Sequence, residues 1–337
     1  MRTFSNDRAP DCRNERLLMP DISLRDNNKS TNGRSFYWYL APLRGLFRIF
    51  CAVAPNSAAR VALRLFRTPH RHATPLREKS WMKTAEKFVF EVGGERLTAW
   101  SWGSGPTVLL VHGWEGRGSQ MGAFAQPLVD AGFRAITVDG PGHGVSSSRR
   151  SSVPQFAEAI AVLVERMGPV HGIVAHSFGS AATGWAARQA TLADRLVFVA
   201  PPGDLDRYVT FFADLLGLSP KVRLRMVSLL ERRFNLHWAE IRYATMTPVD
   251  GTDLLVIQDR DDKESPFSNG IEVSSAWPGS RLHTTTGLGH RRVLRHPDVI
   301  EQVVEFLTAA PVAMTERPTL PHPVGNKTGS VSAVAPA

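Results

Sequence analysis

The chain has 337 residues, 43% of them hydrophobic, with two cysteines and a formal net charge of +9 at pH 7. That length suffices for one large core with appendages to spare, and Cys12 and Cys51, outside any metal-ligand spacing, exclude a disulfide framework and leave the cytoplasm as the default compartment. The charge is confined: residues 1–80 hold 15 of the 40 Lys and Arg and 6 of the 31 Asp and Glu, a balance of +9, whereas the remainder holds 25 of each.

Residues 1–34 are polar and lack the apolar stretch that follows the charged start of a signal peptide, so they read as a disordered segment. Residues 35–80 read as a basic, amphipathic helical leader. Its first part, Phe36 to Ala54, is apolar but carries Arg44 and Arg48 mid-run, each costing about 2.5–3.5 kcal/mol at a bilayer centre, and Pro42 interrupts it. A membrane span is therefore not expected. Asn56 or Ser57 can cap a second helix in which Arg60, Arg64 and Arg67 recur opposite Val61 and Leu65, until Pro69 ends it. Two readings of this leader stay open: an interfacial element on an anionic membrane surface, or helices docked on the rest of the protein with their arginines in water. Nucleic acid is not expected, since no binding motif accompanies the charge.

From Trp81 the pattern changes, and residues 81–310 read as one α/β domain. Two alternating runs, 88–92 and 97–102, flank Gly93-Gly94 and predict a hairpin. Thr107 to Val111 is a continuous apolar run suited to a doubly covered strand, ending in His112-Gly113-Trp114. A helix over 119–130 and a strand over 133–138 follow, the latter ending in Asp139-Gly140-Pro141-Gly142-His143-Gly144. A helix over 154–167 then leads into strand 170–176, and a further strand covers 196–200. Residues 203–246 break the rhythm with amphipathic helical segments and read as a lid inserted over the strand ends. Strand 254–258, strand 280–285 and helix 297–309 complete the alternation. Residues 311–337, with five prolines and no periodicity, read as a disordered tail. Strands alternating with helices predict an α/β fold with a mostly parallel central sheet covered on both faces.

The strand over 170–176 runs into Ser177 and turns at once into Phe178-Gly179-Ser180-Ala181-Ala182, which reads as a helix. A strand–serine–helix junction with small residues on both sides is the pattern of a nucleophile elbow, here with Ala175 in place of the usual first glycine. Taken alone it equally describes a serine capping a helix. The flanks decide between the two. A serine nucleophile needs a base, a group that orients the base, and donors for the oxyanion. His290, after Gly289 and before the last helix, is the base by position; His283 falls inside a strand and His296 at a helix start. Of Asp259, Asp261 and Asp262, the last has the loop length to reach His290, with Asp204 as the second choice. The order Ser, Asp, His, each after its own strand, supports a triad.

With these motifs, residues 81–309 resemble the α/β-hydrolase family. The resemblance implies Ser177 as nucleophile, His290 as base, Asp262 as its partner, and an oxyanion hole from the backbone N–H groups of Trp114 and Phe178. It leaves residues 1–80 unaccounted for. His112 and His143 read as loop-stiffening residues, and the role of His176 stays open. The expected activity is hydrolysis of an ester or thioester with an apolar acyl part. Alternatives are acyl transfer or peracid formation by the same triad, or ligand binding without turnover. No metal, nucleotide or flavin cofactor is implied, since phosphate loop, dinucleotide fingerprint and His/Cys cluster are all missing. Acyl chain, leaving group and oligomeric state are open.

Overall fold

A computed structural model describes residues 33–248 and 251–310, with side chains from residue 42 onward. The segment expected to be disordered, apart from its last two residues, and the tail 311–337 lie outside the described residues. In chain order the helices are α1 (Gly33–Val53), α2 (Pro55–Phe66), α3 (Leu76–Trp81), α4 (Ala125–Asp130), α5 (Val153–Met167), α6 (Phe178–Ala187), α7 (Asp206–Leu216), α8 (Pro220–Phe234), α9 (Trp238–Arg242), α10 (Phe267–Ala276), α11 (Gly289–Arg292) and α12 (Pro297–Thr308). The strands are β1 (Glu86–Val92), β2 (Glu95–Trp102), β3 (Thr107–Val111), β4 (Arg134–Asp139), β5 (Val170–His176), β6 (Ala193–Val199), β7 (Asp253–Asp259) and β8 (Arg281–Thr285).

The eight strands form one sheet in the order β1-β2-β4-β3-β5-β6-β7-β8. The β1–β2 hairpin is antiparallel and turns at Gly93 and Gly94, both at positive φ (56° and 79°), the backbone a tight two-residue hairpin loop requires. β2 runs antiparallel to β4, and every pairing from β4 through β8 is parallel. All carboxyl ends of β3 to β8 therefore lie along one edge. Along β3, Leu109 and Val111 face one core and Val108 and Leu110 the other, which is why the run is apolar throughout.

β3 lies between β4 and β5, the point at which successive strands switch direction across the sheet. Open α/β sheets leave a crevice there. The register sharpens the point, because Val111 sits opposite Ala175. Two residues further, Gly113 and Ser177 come side by side: a Cβ on Gly113 would stand 3.0 Å from Cβ of Ser177.

The leader is packed more closely than either sequence reading required. α2 buries Ala58, Ala59 and Ala62 completely and lies against α8, while α1 buries Phe47 and Cys51 and contacts α7. The small alanines permit the close approach, and Phe66 adds an edge-to-face contact with Phe212 at 5.1 Å. α1 also runs straight through Pro42, where an interruption was expected. Proline removes one helical hydrogen bond, and the anchoring of Phe47 and Cys51 downstream offsets that local cost.

The leader also reaches the crevice side of the molecule. Glu78 of α3 is buried and takes two hydrogen bonds from Arg117 (2.7 and 2.8 Å) and one from Ser119 (2.8 Å), just beyond the loop that follows β3. Removing one member of a buried ion pair leaves the other charge without compensation. Glu78→Ala is therefore expected to destabilise the chain by about 3–5 kcal/mol, read as a lower urea midpoint. Glu78→Ala matching the unsubstituted chain would show that Arg117 reaches water when its partner is gone.

Candidate active site

Ser177 joins β5 to α6 in a backbone conformation that side-chain-bearing residues rarely adopt, with φ 50° and ψ −123°. Such strain costs on the order of 1–3 kcal/mol and persists only where the surroundings enforce it. Here its N–H donates to Val199 O of the neighbouring strand (2.9 Å), its C=O accepts from Ser180 N (2.8 Å), and strand and helix nearly touch. A Cβ on Gly179 would lie 2.5 Å from His112 O, so only glycine fits there. Position 175, two residues before the serine, tolerates the methyl of alanine: Ala175 is fully buried in the core.

The loop opposite, His112-Gly113-Trp114, is held by its histidine. Gly140 N–H donates to His112 Nε2 (3.0 Å), which leaves the ring proton on Nδ1 to donate to Gly113 O (2.7 Å). One neutral imidazole thus ties the loop after β3 to the loop after β4. Burial, followed by the neighbouring His143, holds His112 well below the usual imidazole range. His143 donates to Pro141 O (2.8 Å), and burial lowers it to about 4. In the same loop Asp139 accepts from Gly118 N and Val145 N, both at 2.7 Å. Burial raises its pKa, and these two bonds partly offset that.

His290 and Asp262 are brought together: imidazole Nδ1 lies 2.8 Å from Asp262 Oδ2, with the carboxylate side chain wholly shielded from solvent. The other oxygen of Asp262 accepts from Glu264 N and Ser265 N, both at 2.8 Å, and Gln258 Nε2 approaches Oδ2 at 3.5 Å. With Nδ1 committed to Asp262, the free ring position of His290 is Nε2. Among the described residues no hydrogen bond joins the Ser177 hydroxyl to that nitrogen. Such bonds are often long without substrate and tighten on binding.

The neighbouring aspartates have separate tasks. Asp259 accepts from Thr285 Oγ1 (2.7 Å), Leu288 N (3.0 Å), Gly289 N (2.9 Å) and Asp261 N (3.0 Å), so it moors the loop that presents His290. Burial opposes its charge, but these donors win and hold its carboxyl below the ordinary range. Asp261 accepts from Gly287 N (2.8 Å). Asp204 pairs instead with Arg242 (3.2 Å). His283 is half-buried in β8, and His296 precedes α12 beside Asp298.

His176 supplies a link that sequence reasoning left open. Its Nε2 bonds to His290 O at 2.9 Å and its ring lies 4.6 Å from that of His290, so the residue before the serine grips the residue proposed as base. Burial, then the proximity of His290, keeps it well below the usual imidazole range. Trp114 and Phe178 meet edge-to-face at 5.0 Å beside the serine, and Phe178, as the first residue of α6, has a backbone N–H with no partner within the helix.

Three buried imidazoles that must stay neutral make the fold acid-sensitive. The folded-state value of His143 is depressed, so its contribution is complete above the unfolded value near 6.5 and is lost as pH falls toward 4. His112 and His176 act in the same direction. Asp139, whose folded value is raised, acts oppositely: its contribution is present below the unfolded carboxyl value and fades as pH rises through the folded one. Urea unfolding at pH 5 is expected to show a stability about 2 kcal/mol lower than at pH 7 from His143 alone. Equal midpoints would mean that the imidazoles gain water when protonated.

A mostly parallel sheet with a strained serine after β5, an aspartate after β7 and a histidine after β8 is an α/β-hydrolase fold. Comparison with known proteins agrees: the model of the alpha/beta hydrolase family matches residues 108–303, more than half of the chain, and the chain belongs to that family. A human serine hydrolase-like protein is 32% identical over 95 residues, which are 26% of this chain and 46% of that relative, so the match spans under half of the relative's length. An esterase from Exiguobacterium antarcticum superposes with a TM-score of 0.51 at 17% identity, over 66% of this chain and 99% of the esterase. An epoxide hydrolase from Vigna radiata gives a TM-score of 0.53 at 15% identity, over 67% of this chain and 98% of the other.

Proposed function

We propose that the chain is a serine hydrolase that cleaves a carboxylic ester or thioester with an apolar acyl part. The fold alone does not select this reaction, since an esterase and an epoxide hydrolase share it at similar scores. The observation that carries the reading is the shielded His290–Asp262 bond on the same sheet edge as the strained Ser177.

In this reading Ser177 Oγ attacks the acyl carbonyl while His290 Nε2 takes its proton, and Asp262 stabilises the imidazolium through Nδ1. The N–H groups of Phe178 and Trp114 hold the tetrahedral oxyanion. The alcohol or thiol leaves with the proton from His290, and water, deprotonated by the same imidazole, releases the acyl group from Ser177. The rings of Trp114 and Phe178, which follow the two loops that meet at the serine and pack on each other at 5.0 Å, favour an apolar acyl part.

A fluorophosphonate probe followed by peptide mass spectrometry tests this directly, with the adduct expected on Ser177. A folded chain that resists the probe, or carries it elsewhere, overturns the reading. p-Nitrophenyl esters of graded length then define the acyl pocket.

A further inference from the structure

We propose that the outer face of α1 and α2 docks on an anionic lipid surface. The inward side of α1 is accounted for by Phe47 and Cys51, yet Leu43, Leu46, Ile49 and Val53 recur at helical spacing on its outward side and are 37%, 64%, 64% and 80% exposed. α2 repeats the arrangement with Val61 and Leu65, exposed beside the exposed Arg60 and Arg64. A side chain as exposed as Val53 contributes nothing to the core, and a run of four on one helix is an uncovered stripe rather than the scatter of apolar residues ordinary on a surface.

Charge selects the occupant. Residues 33–80 contain nine Lys and Arg, of which Arg67 is buried against Gln155, and one acidic residue, Glu78, which is buried with Arg117. Residues 81–337 are balanced at 25 against 25. Excess positive charge beside an apolar stripe matches the composition of an anionic bilayer surface, where apolar side chains enter the acyl boundary and each Lys or Arg adds attraction. Arg44 and Arg48 sit on another side of α1, over a cleft of about 350 Å³ shared with Asp214 and Ser219, so Arg60 and Arg64 are the better-placed cations. No helix among the described residues is long and apolar enough to cross a membrane, which is consistent with lying on one. Because α1 and α2 rest on α7 and α8, docking would hold the lid insertion next to the lipid.

The test is co-sedimentation of the full chain with phosphatidylcholine vesicles, with and without phosphatidylglycerol, at low and high salt. Two variants are compared with the unsubstituted chain: Leu46→Gln/Ile49→Gln/Val53→Gln, which keeps the charge, and Arg60→Gln/Arg64→Gln, which keeps the apolar stripe. The unsubstituted chain is expected to partition at least tenfold more onto the anionic vesicles, less so at high salt, and each variant to lose about tenfold or more. Circular dichroism and turnover of a short soluble ester are expected to stay within twofold. Partitioning that ignores lipid charge, or that survives in the triple variant, overturns the proposal. So does light scattering that finds a dimer in the unsubstituted chain and a monomer in the triple variant, because a second copy would then cover the stripe.

Discussion

Replacing Ser177 with alanine is expected to lower p-nitrophenyl ester turnover by about 10⁵-fold or more while leaving the thermal midpoint unchanged. The oxygen that would form the acyl bond is lost, whereas the His290–Asp262 bond does not depend on it. The backbone contacts at the turn, to Val199 O and from Ser180 N, survive because they involve no side-chain atom. Alanine keeps the Cβ and therefore the strain of φ 50°. Ser177→Gly separates the two consequences. It should be equally inactive yet more stable by about 1 kcal/mol, since relief of about 1–3 kcal/mol of strain exceeds the entropic cost of a glycine. Stability and activity moving in opposite directions at one residue would identify the strain as maintained for the reaction. Retention of more than about one hundredth of the activity in Ser177→Ala would assign the chemistry to another residue.

The strands were legible because burial on both faces writes itself as continuous apolar runs, as in Thr107 to Val111, and the hairpin because Gly93-Gly94 suits only a tight turn. Asp262 could be singled out by loop length alone, and it is the aspartate that meets His290. The work of Asp259 was hidden for a physical reason. Its four donors come from Asp261 and from residues 26 to 30 positions later, three of them backbone N–H groups that no side-chain pattern announces. The Glu78–Arg117 clamp is equally silent, because charged residues ordinarily mark solvent and only the folded chain shows these two shielded together. The leader misled in a different way. Its arginine periodicity was only partly an outer face: Arg60 and Arg64 are exposed, but Arg67 is buried and donates to Gln155, and Val61 and Leu65, placed opposite the arginines, are exposed beside them. The alanines that dock α2 on α8 carry too little hydrophobic signal to reveal a contact with a segment more than 150 residues downstream.

Asp262→Asn is expected to lower kcat by about 10⁴-fold with little change in KM and none in fold. Oδ1 of Asp262 accepts from two backbone N–H groups at 2.8 Å, so an asparagine must turn its carbonyl oxygen toward Glu264 N and Ser265 N. Its amide NH₂ then faces His290 Nδ1. A nitrogen that receives a donor cannot carry a proton of its own, and the neutral imidazole is driven to the tautomer protonated at Nε2. That nitrogen can no longer accept the serine proton, although every heavy atom stays in place. Asp259→Asn is the control that distinguishes wrong chemistry from wrong position. Thr285 and Leu288 donate to Oδ2 and Asp261 and Gly289 to Oδ1, so its amide NH₂ would confront one of these donor pairs in either orientation, loosening the loop that carries His290 and lowering the unfolding midpoint together with turnover. Stopped-flow fluorophosphonate labelling with parallel urea unfolding separates the cases: labelling lost at full stability for Asp262→Asn, both impaired for Asp259→Asn. Full labelling speed in Asp262→Asn would remove Asp262 from the proposed triad and leave the 2.8 Å contact a structural one.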